Sequence, residues 1–167
     1  MYSRLYSMAK EVAVSVTASG VGVYAEDLHV GSSWPLGEYR VTSAAIIAFA
    51  SEWDPQFFHI DEDRARAEGP LGGLIASGLQ TISIYQRLDV LSRKEQWHVI
   101  GGDGIDDARL RRPVRPGDVL TGRTTVSGLT LQPERRRGRI TLQGELTNQN
   151  SEVVMTITLS AYLQMRP

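Results

Sequence analysis

The spacing of hydrophobic and polar positions changes twice along this chain, and the changes mark out its elements. Residues 1 to 25 alternate weakly at Val12, Val14 and Val16 before running into Thr17-Ala18-Ser19-Gly20, which suits an amino-terminal extension or a peripheral strand. Trp34-Pro35-Leu36-Gly37-Glu38-Tyr39-Arg40-Val41 reads as a turn entering a short strand. Thr42 or Ser43 then offers an N-cap for a helix over residues 44 to about 53, with Ile46, Ile47, Phe49 and Ala50 on one side. Pro55 stops this helix, because a residue preceding proline is pushed out of the α conformation. Asp61-Glu62-Asp63 favours the positive end of a further short helix through Ala67, which Gly69-Pro70 ends.

The longest helical pattern covers residues 74 to 91, where Ile75, Leu79, Ile82, Tyr85, Leu88 and Leu91 recur at threes and fours. Such a helix is about 27 Å long at 1.5 Å per residue. Ile84 and Val90 extend its apolar character around much of the circumference, so it is expected to lie against or inside a sheet. Beyond it the period shortens to that of strands, predicted over residues 97–105, 108–112, 118–126, 139–148 and 153–165. No helical crossovers separate them, and links such as Asn148-Gln149-Asn150-Ser151 suit antiparallel hairpins. The expected fold is α+β, with one domain over residues 26–167 in which a curved antiparallel sheet wraps a long central helix.

Bulk composition narrows the function classes. At 167 residues and 41% hydrophobic content the chain is of single-domain size with material for one core. Eighteen basic against nineteen acidic residues give a net charge of −1, so no global field attracts nucleic acid or an anionic membrane. Cysteine is absent, which removes disulfides, thiolate nucleophiles and Cys-based zinc sites and fits a reducing cytoplasm. Without a long apolar run or a signal-peptide pattern, the chain reads as soluble and cytoplasmic.

Candidate chemistry concentrates in two segments. Asp54-Pro55-Gln56-Phe57-Phe58-His59-Ile60-Asp61 places an acid and an imidazole five residues apart, in a stretch too Pro-rich and aromatic for ordinary helix. Unperturbed Asp and His have pKa values of roughly 3.9 and 6.5, so the pair begins as carboxylate and mostly neutral imidazole, and either can contact a water. Gly69-Pro70-Leu71-Gly72-Gly73-Leu74-Ile75-Ala76-Ser77-Gly78 reads as a glycine-rich loop entering the long helix, whose amino end presents unpaired N–H groups to an oxyanion. Alone, the glycines fit tight turning, His59 a structural histidine and Asp54 a helix-end cap; together they point to an active site. Asp61 suits a cap for the next helix. Ser77 lacks a Gly-x-Ser-x-Gly context for a nucleophile and is expected to shape the pocket. His29 and His98 are isolated, no metal-ligand spacing occurs, and neither nucleotide-binding glycine motif is present, so no metal or cofactor is expected. Arg112 and Arg115 are candidates for binding phosphate groups of a ligand, whereas Arg135, Arg136, Arg137 and Arg139 fit an exposed turn equally well.

With these motifs in view, the chain resembles the MaoC-like dehydratase family, single-hot-dog enzymes that include (R)-specific enoyl-CoA hydratases. The likeness runs from about residue 41 to 163. Asp54 and His59 within DPQFFHID, PLGGLIASGL from Pro70 to Leu79, and LRRPVRPGDVL from Leu110 to Leu120 carry it, in the family's order. The resemblance implies a hot-dog fold, a homodimer whose paired sheets cover exposed edges, and interconversion of a trans-2-enoyl thioester, on CoA, with a 3-hydroxyacyl thioester. Matched residue by residue, it gives Asp54 and His59 the water and the Gly78 N–H the thioester oxygen; Gln56, Gly73 and Ser77, which the match does not supply, are expected beside the substrate. The chain departs from the family pattern at Trp53, where a glycine precedes the acid, and at Pro55-Gln56, which replace an Asn-Pro pair. A helix serine of the hydratases falls near Gln86, with Ser83 one turn earlier. The rival expectations are an acyl-CoA thioesterase on the same architecture and an acyl-thioester binding protein without turnover.

Overall fold

The computed structural model describes residues 22–167, so the weak alternation before Gly22 lies outside the described residues. Its elements are β1 (Ser33–Pro35), β2 (Tyr39–Arg40), α1 (Ser43–Trp53), α2 (Phe57–Ile60), α3 (Glu62–Glu68), α4 (Gly78–Ser92), β3 (Val99–Leu110), β4 (Val119–Gln132), β5 (Arg137–Thr147) and β6 (Val153–Gln164). The strands form an open antiparallel sheet in the order β1-β4-β5-β6-β3, and β2 pairs with β4 further along the edge that β1 occupies. One long helix against such a sheet is the hot-dog arrangement that the sequence implied.

Alternation places the core. Along β5, Gly138, Ile140, Leu142, Gly144 and Leu146 are buried while the residues between them stay partly or fully exposed, as one covered sheet face requires. Val41, Ile46, Tyr85, Leu88, Leu120, Leu146 and Met155 join α1, α4 and the sheet in one apolar cluster. Tyr85 seats α4. Its ring occupies the space a Cβ at Gly144 would need, and its hydroxyl pairs with Thr124 Oγ1 at 2.9 Å. Burial pushes this phenol up to about 12. At the far end of α4, buried Asp89 accepts from Trp34 Nε1 at 3.2 Å and from Arg93 Nη2 at 2.5 Å, and the Arg93 guanidinium lies 4.2 Å from the Trp97 ring centre.

The short elements follow their expected local rules. Thr42 caps α1 by accepting from Ala45 N–H, and the helix ends at Trp53 before Pro55. Asp61 caps α3 through Arg64 N–H. Asn148 closes the β5–β6 hairpin with its side chain, accepting from the Asn150 and Glu152 N–H groups.

Two expectations are corrected, and the strand count follows. The helix expected from residue 74 begins at Gly78, because residues 74–76 are held extended: Ile75 N–H donates to Phe58 O and Ala76 N–H to Val114 O. The two strands expected over 97–105 and 108–112 are one strand, β3. Its glycines and aspartates read as punctuation, but register shifts against β6 absorb them. The four strands after α4 are joined by β1 and β2, which makes six. Among the described residues no helix is long and apolar enough to cross a membrane.

Candidate active site

Helix α1 delivers Asp54 at its C-cap, where φ −157° and ψ 69° turn the chain out of helix toward Pro55. A single helical turn, α2, then carries His59 back beside it. The His59 ring is buried, with Phe58 packed edge-on at 4.5 Å between centroids. His59 Nδ1 lies 2.7 Å from the Ile75 carbonyl oxygen. A carbonyl only accepts, so Nδ1 carries a proton, and in the neutral form of the ring the lone pair is then at Nε2. That nitrogen stands 3.5 Å from Asp54 Oδ2. Two acceptors at this separation suit one donor shared between them, such as a water molecule.

The carboxylate is itself fixed. Ser77 Oγ–H donates to Oδ2 at 2.6 Å and Gln56 Nε2–H donates to Oδ1 at 2.9 Å. These bonds hold the Asp54 pKa below the ordinary carboxylate value, the Ser77 hydroxyl most and the Gln56 amide next; burial works weakly against them, and His59 adds a smaller Coulombic lowering.

Opposite this pair, Ser77 caps α4. Its Oγ accepts from Leu79 N–H at 3.2 Å and its carbonyl accepts from Thr81 N–H, whereas the intervening Gly78 N–H finds no acceptor among the described residues. Gly78 also admits Leu110, whose methyl group would collide with a Cβ there. A cavity of about 330 Å³ is lined by His59, Leu71, Gly78, Thr81, Leu110 and Arg111, among others. Asp54 stands off that lining with its side chain 23% exposed. A larger cavity of about 780 Å³ begins at Ile82, one turn beyond Gly78, and runs between α4 and the sheet past Val90, Trp97, Leu142 and Leu159.

The structure therefore brings Asp54, Gln56, His59, Ser77 and Gly78 together. Gln56 faces the carboxylate, and Ser77, fully buried, bonds Asp54 and α4. Gly72 and Gly73 form the turn before residues 74–76, with φ of 69° and 148° that only glycine adopts easily. Arg115 braces that turn by donating to the Leu71 carbonyl, and Arg112 is exposed beside Glu152 at 3.6 Å. Trp53 is 63% exposed and lines neither cavity. In the second basic cluster, Arg139 pairs with Asp103 and Arg137 lies over Tyr162. His98 stacks on Tyr24. Sequence reasoning missed the Ile75 carbonyl, a backbone acceptor no side-chain pattern advertises. It also left Ser77 unassigned as a cap, although serine directly before the first helical residue is an N-cap signal. Among the described residues no cluster of His, Asp and Glu has the makings of a metal site.

The chain is 31% identical over 139 residues to the uncharacterized protein YdeM of Bacillus subtilis, covering 83% of this chain and 86% of that protein. The crystal structure of a MaoC-like dehydratase from Rhodospirillum rubrum is similar at a TM-score of 0.76 and 39% identity, over 87% of this chain and 99% of that one. The unliganded R-hydratase PhaJ1 from Pseudomonas aeruginosa shares the fold at a TM-score of 0.71 and 18% identity, over 87% and 88% of the two chains. The family model described as MaoC like domain matches residues 34–150, a span that takes in Asp54, His59, Ser77 and Gly78, and the chain belongs to that family.

Proposed function

We propose that this protein is a hydratase that adds water reversibly across the double bond of a trans-2-enoyl thioester, with CoA as the carrier. The observation that carries this reading is the convergence of Asp54 Oδ2 and His59 Nε2, 3.5 Å apart, near a helix start whose Gly78 N–H has no acceptor among the described residues.

A water donating to both acceptors keeps its oxygen lone pair for C3 of the substrate. As the C3–O bond forms, the C2=C3 electrons move toward the thioester carbonyl, and the resulting enolate oxygen takes a hydrogen bond from Gly78 N–H. One such donor supplies about 2.7–4 kcal/mol of transition-state stabilisation. The water's proton passes to the Asp54–His59 pair, and C2 receives one from it when the enolate collapses. One water is consumed and no atom changes hands with a redox partner, so the reaction itself calls for no cofactor.

The 780 Å³ cavity lies further along α4 with largely apolar walls and suits an acyl tail in size and character. The coenzyme end is assigned to the exposed side near Arg112. A homodimer also belongs to this reading. Strand β3 ends the sheet with Val99, Ile100 and Ile105 exposed, and α4 leaves Leu79 and Val90 exposed, a surface suited to a second copy.

The test is a panel of trans-2-enoyl-CoAs of rising chain length, following enoyl absorbance and free thiol together with the protein's mass in solution. Loss of the enoyl signal without thiol supports hydration. Thiol release moves the assignment to a thioesterase, and binding without either signal supports a carrier.

A further inference from the structure

Ser77 touches both halves of the site, Asp54 and the start of α4, while itself hidden from substrate, being 0% exposed. We propose that Ser77 is a positioning residue that ties the Asp54 carboxylate to the amino end of α4, so that one helix end aligns both the acid and the oxyanion donor. The assignment rests on the hydratase reading above.

A hydroxyl has one proton and two lone pairs. The carboxylate only accepts, so the Ser77 proton goes to Asp54 Oδ2, at 2.6 Å, and a lone pair faces Leu79 N–H, at 3.2 Å. The result is a relay, Leu79 N–H to Ser77 Oγ–H to Asp54, that passes the positive character of the helix start to the carboxylate. With Leu79 N–H satisfied in this way, Gly78 N–H is left for the substrate oxygen.

The partners of His59 and of Asp54 Oδ2 lie two residues apart on the segment entering α4, one a backbone carbonyl and the other a side-chain hydroxyl. His59 is fixed through Ile75 O and Gln56 holds only Oδ1, so the distance between Oδ2 and His59 Nε2 depends on Ser77. His59 is the titratable group facing Asp54, and Ser77 and Gln56 are its uncharged partners. Complete burial also removes Ser77 as a hydrolytic nucleophile, since no acyl carbon can reach it.

The experiment compares Ser77→Ala with Ser77→Thr in the full chain, measuring kcat and KM on an enoyl-CoA and titrating the Asp54 carboxyl by carbon NMR. Ser77→Ala is expected to lower kcat by about 10²-fold, the size of a small misplacement of reacting groups, with KM little changed. The Asp54 midpoint should move upward and Ser77→Thr should restore both readouts. In an Asp54→Asn background, Ser77→Ala should lower kcat no further. If Ser77→Ala does not fold, Ser77→Cys keeps the volume with a weaker donor and should move the midpoint in the same direction by less. A folded Ser77→Ala protein with an unmoved Asp54 midpoint, or an equal loss of kcat in the Asp54→Asn background, would overturn the assignment. A wild-type protein silent on every enoyl-CoA removes the hydratase reading, and the Asp54 midpoint alone then decides whether Ser77 positions the carboxylate.

Discussion

The carboxylates at the two ends of α4, Asp89 and Asp54, are held in different ways, although Arg93 Nε beside Asp89 is itself buried without a partner among the described residues. At the carboxyl end, Asp89 uses both oxygens on Trp34 and Arg93, and the cavity beside it is walled largely by apolar side chains. At the amino end the bonds are arranged so that capacity is left over. Ser77 and Gln56 hold the carboxylate, Ile75 fixes one nitrogen of His59, and the groups left without a partner among the described residues include the Nε2 lone pair and the Gly78 N–H, with Gln80 Oε1 in the same turn. Buried polar groups that consume one another lock a fold, whereas groups held in place with one bond unmade are ready for a ligand.

Substitutions at each end should separate these roles, beginning with the largest effect. Asp54→Asn and His59→Ala each remove acid–base capacity and should lower kcat by about 10²–10⁴-fold on an enoyl-CoA, with cooperative unfolding retained. At the opposite end, Asp89→Ala leaves the Arg93 guanidinium unpaired and should reduce stability by about 3 kcal/mol in chemical denaturation. The kcat of the molecules that remain folded, on a short enoyl-CoA, should stay near wild type. Equal damage to activity from Asp89→Ala would erase the contrast between the ends.

Gly78→Ala sits between these in effect. Its Cβ collides with Leu110, so kcat/KM should fall by about 10²-fold from displacement at the oxyanion donor, and Leu110→Ala in the same chain should recover part of the loss. The smallest effect concerns acid stability. Asp54 has a depressed folded pKa, so its stabilising contribution is fully present above the unfolded value of roughly 3.9 and is lost as pH falls through the folded value. Asp54→Asn should therefore flatten the decline of melting temperature below about pH 4, and an unchanged slope would contradict the depressed value.

Much of this arrangement was legible in the chain because local rules governed it. Pro55 ends α1 and delivers Asp54, Asp61 caps α3, and alternation along 139–148 marks a strand with one buried face. The start of α4 was not legible. Leu74, Ile75 and Ala76 fit a helical period, yet Ile75 pairs with Phe58 and Ala76 with Val114, partners distant in sequence that override the local preference. The same long-range pairing supplies the Ile75 carbonyl to His59, so the tautomer of the proposed base had no signal in its own segment. Likewise, the glycines of β3 looked like breaks because their partners, Tyr162, Ala161 and Ser160, lie far along the chain in β6.

The most direct measurement of the central claim is the fate of labelled oxygen when the protein turns over a trans-2-enoyl-CoA in water enriched in oxygen-18. Hydration at the Asp54–His59 pair predicts label in the 3-hydroxyl of an intact thioester, lost in Asp54→Asn. Label in a free carboxylate, or a 3-hydroxyacyl product that forms equally well without Asp54, would contradict it.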